Sequence, residues 1–380
     1  MRICVIGLRG LPDVIGGIEV HCERLFPEIR RVNRSVQITI LIRRGYTPAS
    51  RFGFQGCDVV ALWSPTMWGV DTLIHTIWAL IYARFKTRPD IVHIHGIGPG
   101  FFTPLARLLG FRTVVTHHAQ DYERPKWGRF GRAFLRLGEQ LAGLSASRII
   151  CVSDALQRSF LANVPRATNR TVAIRHASSL EFSNADIASG VWAELELTPG
   201  TYVLAVGRLE ATKGFHDLIE AAKSVQGQRK LVIVGSAVGN QSHALHLRQM
   251  AANDVVFAGY RTGAELRDLY RGAALFVHPS YMEGFGLVIS EALSAKKPVV
   301  ISDIPPHREF GLNENCYFPA GEVEALARKL RVKDYGVFYT ERAVEHQLSR
   351  SWAEVAAQHI AVYRTLFRVR YRSGAFNSKS

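Results

Sequence analysis

The stretch HPSYMEGFGLVISEALSAKKPVVISD, from His278 to Asp303, decides the fold of this chain. The apolar run Leu275–Val277 enters it as a strand, and Pro279 and Ser280 end that strand. Gly284 and Gly286 let the chain turn tightly and let another group approach the backbone. Leu287, Ile289, Ala292, Leu293 and Ala295 then recur at helical spacing. Pro298 stops the helix, and Val299–Ile301 is the next strand. One βαβ crossover is therefore expected, and with it a parallel sheet.

A helix starting near Gly286 aims unpaired backbone N–H groups and the positive end of its dipole at the crevice. Gly286, Leu287 and Val288 make its first turn, which suits a phosphate. Glu283 precedes the helix and Glu291 lies inside it, with seven residues between them. The turn lets one carboxylate meet the near end of a bound ligand and the other a more distant part. A diphosphate with a hydroxyl-rich group at each end, a nucleotide sugar, would fit. The same pair also reads as a solvated loop glutamate and an ordinary helix glutamate, and spacing leaves both readings open.

EGFGLVISE resembles the E-x7-E signature of the retaining glycosyltransferases of family 4, which have the two-domain GT-B fold. The resemblance implies that Glu291 binds ribose hydroxyls and that Glu283 lies against the donor sugar.

The bulk numbers are compatible. A chain of 380 residues is too long for one core and fits two domains. Hydrophobic residues are 47% of the total, a globular composition. The net charge of +15 favours phosphates and anionic surfaces but is silent on fold. The five cysteines are scattered and form no C-x-x-C, which argues for a reducing compartment and against a zinc cluster. No signal peptide is visible, and the apolar stretch Thr72–Ala83 is too short for a membrane span. A cytoplasmic location is expected.

From the start, Arg2–Ile6 reads as a buried strand, followed by the loop GLRGLPDVIGG and a helix from Ile18. Gly16 and Gly17 stand before that helix. They resemble the paired glycines with which family 4 approaches donor phosphates and acceptor, and G-L-R-G-L-P…G-G-I-E is similar to an exopolysaccharide and rhamnosyltransferase-like subgroup. Val36–Ile42, Val59–Leu62 and Asp90–His95 are strand candidates, and Thr72–Arg84 is a helix candidate. His93 and His95 alternate on a strand and face one side. They read either as metal ligands or as partly buried histidines near a cleft.

After the strand Thr113–Thr116 comes HHAQDYERPKWG. A cluster of His, Asp and Glu at a strand's carboxyl end is where open α/β sheets place their sites. The order His118, Asp121, Tyr122, Arg124, Lys126, Trp127 resembles a run of the same subgroup, with Tyr122 in place of the more usual Trp. The resemblance gives His118 a contact with the donor sugar near its reacting carbon, and it leaves Asp121 and Arg124 to the cleft and the acceptor.

Trp127, Phe130, Phe134, Leu137, Leu141 and Leu144 repeat at helical spacing, with Arg129, Arg132 and Arg136 off the stripe. This basic amphipathic helix, residues 127–144, reads as an anionic-membrane contact or as a helix packed on its own sheet. Arg148–Ser153 is the next strand. Near residue 178, where the family often has Pro-Asn-Gly, this chain has Arg175, His176 and Ala177.

The second half opens with Tyr202–Val206 and GRLEATKG. Arg208 and Lys213 flank a strand-to-helix turn, and two cations there suit a diphosphate. The string resembles the family's G-R-x-x-x-x-K-G, whose Arg and Lys bind the donor phosphates. Leu231–Gly235 and Val255–Ala258 are strands. Tyr260, after the second of them, would border the nucleotide base by resemblance. Glu309 is expected to begin a helix at the same rim. Trp352–Phe367 reads as one helix, with His359 packed in it, and by resemblance returns to the first domain.

The expectation is an α/β protein of GT-B fold, two Rossmann-like domains facing across a cleft. The domains are 1–178 for the acceptor and 179–350 for the nucleotide sugar, with a returning helix and tail at 351–380. The family implies a retaining glycosyltransferase that needs no metal or other cofactor. The expected partners are a nucleotide sugar, a glycan or lipid-linked saccharide acceptor and no nucleic acid. The location is cytoplasmic or peripheral at the inner face of the plasma membrane, and the role is in bacterial polysaccharide synthesis. An epimerase acting on a nucleotide sugar, or a non-catalytic binding protein on the same scaffold, are the rival readings. A dehydrogenase is disfavoured, because the first loop lacks a compact G-x-G-x-x-G.

Overall fold

Among the described residues, fourteen short strands built mostly of buried apolar residues form two separate sheets. Such runs are what a parallel sheet covered on both faces requires. The computed structural model describes every residue except 48, 66–69, 183–188, 238–240 and 368–380. The first sheet contains β1 (Arg2–Ile6), β2 (Gln37–Arg43), β3 (Arg51–Phe54), β4 (Cys57–Leu62), β5 (Ile91–His95), β6 (Arg112–His117), β7 (Arg148–Cys151) and β8 (Thr171–Ala173). Its order is β3-β4-β2-β1-β5-β6-β7-β8. The second contains β9 (Tyr202–Val206), β10 (Leu231–Val234), β11 (Val255–Gly259), β12 (Ala273–His278), β13 (Val299–Ser302) and β14 (Tyr317–Phe318), in the order β11-β10-β9-β12-β13-β14. All pairings are parallel except β3 with β4. This is the GT-B architecture expected from the sequence.

The strand order fixes the position of the site. β1 lies between β2 and β5, and β9 lies between β10 and β12. Each sheet therefore reverses its winding beside its first strand, and a crevice opens there at the carboxyl ends of the strands. The loops after β1, β5 and β6 line one side of the cleft, and those after β9 and β12 line the other.

Helices cover both faces of the first sheet. Gly17–Val32 packs on one face, where Leu25 and Phe26 join Ile3 and Val5 in a buried cluster. The helix Trp352–Thr365 comes back from the second sheet to this layer, burying Val355, Ile360 and Tyr363 in the same cluster. Ser351 and Glu354 close a capping box at its start, a pattern legible as S-x-x-E. The helices Val70–Tyr82, Thr103–Leu108 and Arg129–Ser145 cover the opposite face.

Three local readings change. Glu309 does not begin a helix: the helix is Pro305–Arg308 and ends before it. Two prolines start that helix, since proline has the right φ and lacks an N–H that would be unpaired there. The strand β3 escapes a pattern reading because RFGF is only four residues long. The helix expected over 127–144 begins at Arg129 and does not bury the apolar stripe read from the sequence. It packs Leu135, Gly138, Glu139 and Ala142 inward, while Phe130, Leu137 and Leu144 are exposed. Small residues decide this, because the helix comes so close that a Cβ on Gly138 would overlap the carbonyl of Ile97.

Candidate active site

The cleft has a volume of about 1080 Å³, and every residue assigned to the site from sequence lines it. Gly16, Gly17, His118, Asp121 and Arg124 come from the first domain. Arg208, Lys213, Tyr260, Glu283, Gly286, Leu287, Val288 and Glu291 come from the second.

The turn at Glu283–Gly286 packs directly against the first domain. Gly284 is needed for a reason the sequence hid, because a Cβ there would overlap the backbone carbonyl of His118. The group that approaches this backbone belongs to the chain's own first domain. Gly286 has φ +103°, a left-handed conformation that frees the helix Leu287–Ser294 to start with its N–H groups toward the cleft.

Cations converge opposite that helix start. Arg208 sits 2.8 Å from Glu210, and Arg124 of the first domain reaches the same carboxylate at 2.9 Å. Arg124 also holds Asp121 at 2.7 Å. Burial lowers the pKa of Arg208, and the nearby positive charges of Arg124 and Arg9 add to the effect. Burial likewise lowers that of Lys213, with Arg208 and Arg124 contributing and Glu283 opposing. On Arg124 burial acts in the same downward sense, but Asp121, Glu210 and Glu283 outweigh it and raise the pKa. Crowded, largely buried cations of this kind gain most from a polyanion.

The two signature glutamates sit in different surroundings. Glu283 is ion-paired with Lys213 and accepts from His278 Nε2 at 2.6 Å. Burial pushes its pKa upward, but Lys213 and His278 prevail and hold it well below the carboxylate range. It is therefore a charged, occupied carboxylate. Glu291 accepts hydrogen bonds from the hydroxyls of Tyr270, at 2.7 Å, and Ser179. Burial raises its pKa, and those two hydrogen bonds oppose the rise.

His118 is one of six clustered imidazoles. Its Nε2 is 3.0 Å from His95 Nδ1, and the ring of His21 lies 5.0 Å away, edge-on. His176 stands 4.4 Å from His21 and 5.2 Å from Phe285. His93 and His95 do share a side, with rings 4.3 Å apart. His93 is bonded to Thr116 and Tyr363, and His359 lies against it. Burial pushes His118 down to about 3 and His359 to about 4, so these rings are neutral at pH 7. Neutral imidazoles can donate to or accept from sugar hydroxyls.

Two groups could hold a metal ion among the described residues: His21, His95 and His118, and His278, Glu283 and His307. The second is the poorer candidate, since the Lys213 ammonium sits on the Glu283 carboxylate. In the first group β5 contributes His95 rather than the His93–His95 pair.

Several site residues were not legible in the sequence. Tyr270 and Ser179 lie 21 and 112 residues from the Glu291 they hold, and only folding brings them together. Glu210 sits inside the G-R-x-x-x-x-K-G string but carried no signal of its own. Arg175 and His176, where the family's usual residues are missing, have definite partners. Arg175 binds Glu309 at 3.0 Å, and His176 joins the imidazole cluster. Glu309 accepts from the backbone N–H groups of Asp154 and Ala155, capping a first-domain helix from the second domain.

Comparison with known proteins agrees. Residues 193–332 match the family model of glycosyl transferases group 1, and residues 16–174 match that of a glycosyl transferase 4-like domain. Alpha-maltose-1-phosphate synthase of Mycolicibacterium smegmatis is 26% identical over 409 residues, which cover 96% of this chain and 99% of that protein. A GDP-mannose-dependent alpha-mannosyltransferase of Mycobacterium tuberculosis is 28% identical over 368 residues, 92% of this chain and 82% of that protein. Among solved structures, sucrose-phosphate synthase of Thermosynechococcus elongatus has a TM-score of 0.82 at 20% identity, covering 96% of this chain and 99% of its own. HepE of Anabaena with UDP-glucose has a TM-score of 0.73 at 21% identity, covering 96% and 99%. Sequence match, fold and the cleft between the two sheets converge: the chain belongs to the group 1 glycosyltransferases of GT-B fold.

Proposed function

We propose that this chain moves a sugar from a nucleotide-sugar donor to a glycan or lipid-linked saccharide, with retention of anomeric configuration and without a metal, in bacterial polysaccharide synthesis. One observation carries the reading. Arg208, Lys213 and the helix start at Gly286 surround one part of a cleft whose neighbouring walls hold Glu283, Glu291 and His118. Cations and helix N–H groups suit a diphosphate, and the carboxylates and imidazoles suit the hydroxyls on either side of it. The names of relatives include nucleotide-sugar donors, and HepE has been crystallised with UDP-glucose.

In this reading the bond from the anomeric carbon to the phosphate oxygen breaks, and its electron pair leaves on the diphosphate. Arg208, Lys213 and the first-turn N–H groups of the helix stabilise that charge. The acceptor oxygen attacks from the face the phosphate leaves, forming the new glycosidic bond, and its proton passes to the departing phosphate oxygen. Glu283 is tied to Lys213 and His278, so it serves as a sugar-binding and positioning carboxylate rather than a free nucleophile. Glu291 would hold the ribose, and His118 the transferred sugar.

The test is a panel of nucleotide sugars scored by protection against thermal unfolding, followed by transfer to saccharide acceptors with the anomeric configuration read by NMR. One donor family should protect and transfer with retention. Protection without transfer of sugar to any acceptor, together with epimerised sugar, would replace this reading by the epimerase.

A further inference from the structure

Three imidazoles from three different elements form a near-equilateral triangle beside the cleft. His21 lies on the helix Gly17–Val32, His95 ends β5, and His118 follows β6. The ring centres are 5.0 Å apart for His21 and His118, 5.3 Å for His95 and His118, and 5.6 Å for His21 and His95. Three imidazoles on one tetrahedral ion, with Zn–N bonds of about 2.05 Å, have ring centres about 5.2 Å apart. One ligand nitrogen of each ring lies within 4.8 Å of the others. The edge from His95 Nδ1 to His118 Nε2 is 3.0 Å, against about 3.3 Å for two nitrogens on such an ion. A turn of the His21 ring, which no hydrogen bond holds among the described residues, shortens the remaining edges.

Hydrogen bonding leaves this triangle unsatisfied. His21 is 1% exposed, and neither of its ring nitrogens has a hydrogen-bond partner among the described residues; nor has His95 Nε2. A neutral imidazole carries one donor and one acceptor, and burying both unpaired is unfavourable. His95 Nδ1 has the opposite problem. It meets both His118 Nε2 and, at 3.5 Å, Cys22 Sγ, with one hydrogen or one lone pair to share between them. A cation among the three rings would take a lone pair from each. The group consists of imidazoles alone, so it serves oxygen-seeking Mg²⁺ and Ca²⁺ poorly and suits Zn²⁺. His95 and His118 line the cleft, which gives an ion its way in and turns a fourth position toward the cleft.

We propose that His21, His95 and His118 bind a Zn²⁺-class transition-metal ion and that this ion inhibits the enzyme. Inhibition rests on the functional reading above, in which His118 holds the transferred sugar: a metal on its Nε2 withdraws that nitrogen from the sugar. Metal binding does not depend on that reading. The ion takes no part in transfer, so transfer without a metal and inhibition by one belong together.

The test uses the full chain, untagged, stripped of metal by chelator and without donor. Co²⁺, a spectroscopic stand-in for Zn²⁺, should give the visible absorption of a tetrahedral site at one ion per chain. Zn²⁺ should displace it and Mg²⁺ should not. Zn²⁺ should also raise the Tm, because it binds the assembled site and not the unfolded chain. His21→Gln should weaken Zn²⁺ binding about 100-fold or more, beyond the roughly 10–100-fold usual on losing an outer partner of a ligand. His118→Gln, a second variant at the cleft wall, should do the same. His243→Gln with His246→Gln, on the helix Ser242–Met250 of the second domain, should change nothing. A wild type without the tetrahedral spectrum overturns the proposal. So does Zn²⁺ affinity equal to wild type in His21→Gln or His118→Gln, or its loss in the His243–His246 variant. In transfer assays Zn²⁺ should inhibit wild type, and His21→Gln should need about 100-fold more for the same inhibition. Zn²⁺ bound at the triangle with transfer undiminished would overturn the inhibition. A metal-free wild type that shows the Co²⁺ spectrum but transfers no sugar would overturn the transferase reading and leave the metal site standing.

Discussion

Arg124, in the loop after β6, and Glu210, in the loop after β9, form an ion pair of 2.9 Å across the cleft, and Glu210 is shared with Arg208 at 2.8 Å. A single carboxylate thus occupies two cations that a donor diphosphate would need. Glu210→Gln should therefore tighten binding of a free nucleoside diphosphate by about three- to ten-fold, the scale of one charge-assisted contact no longer competed for. Titration calorimetry of wild type and variant checks this. Weaker binding in the variant would mean that Glu210 positions Arg208 rather than competing with phosphate.

Arg208→Ala and Lys213→Ala should each reduce turnover about 10²-fold or more, the usual loss on removing a group that stabilises developing charge. Steady-state kinetics on both variants is the measurement, and wild-type turnover would sink the phosphate assignment.

Glu291→Ala should weaken nucleotide affinity, because in the proposed reading it removes a ribose partner. Tyr270→Phe should weaken it less, since the carboxylate stays but loses one of its two hydrogen-bond donors. Equal affinity in Glu291→Ala and wild type would refute the ribose role.

Glu283→Ala should harm turnover more than nucleotide affinity, and it should also destabilise the fold. Removing one partner of a buried ion pair leaves the Lys213 ammonium uncompensated, at a cost of about 3–5 kcal/mol. Lys213→Met with Glu283→Leu should restore part of that stability and none of the activity. A Glu283→Ala variant as stable as wild type would contradict the pairing.

The pH dependence follows from the imidazole cluster. Burial depresses the pKa of His21, His93, His95 and His176 well below 6.5, and takes His118 to about 3. Unfolding restores an ordinary pKa, so below about pH 6.5 the unfolded chain binds protons that the folded chain refuses. Stability is full above that pH and is lost as the pH falls toward the folded values. Each such group contributes about 1.4 kcal/mol per pH unit once its unfolded form is protonated. The melting temperature should fall steadily between pH 6.5 and pH 5, and His93→Gln should make the fall shallower. A flat profile over this range would show that the cluster is not neutral in the folded protein.

Transfer should survive excess chelator. In the proposed reading, Arg208, Lys213 and the helix start supply the charge that would otherwise call for a divalent ion at the diphosphate. Activity lost with chelator and restored by Mg²⁺ or Mn²⁺ would give that role to a metal.

The sequence by itself determined the elements and the strings that carry the site. The runs Ile3–Ile6 and Tyr202–Val206 are apolar and buried throughout, as strands covered on both sides must be. Gly286 and Pro298 bracketed a helix, and G-R-x-x-x-x-K-G and E-x7-E stood at the ends of strands, where parallel sheets keep their ligands. Local chemistry sufficed there, because turn, cap and periodicity act over a few residues. Tertiary structure alone decided who holds whom. Glu291 is held by Ser179, 112 residues away, and Arg124 meets Glu210 across 86 residues. Which face of Arg129–Ser145 turns inward was also settled by packing, since Gly138 and Ala142 permit a close approach that Phe130 and Leu137 would block. The six histidines come from one strand, two loops and two helices that share nothing in sequence, and they become one neutral cluster only because the last helix returns to the first sheet and shuts water out.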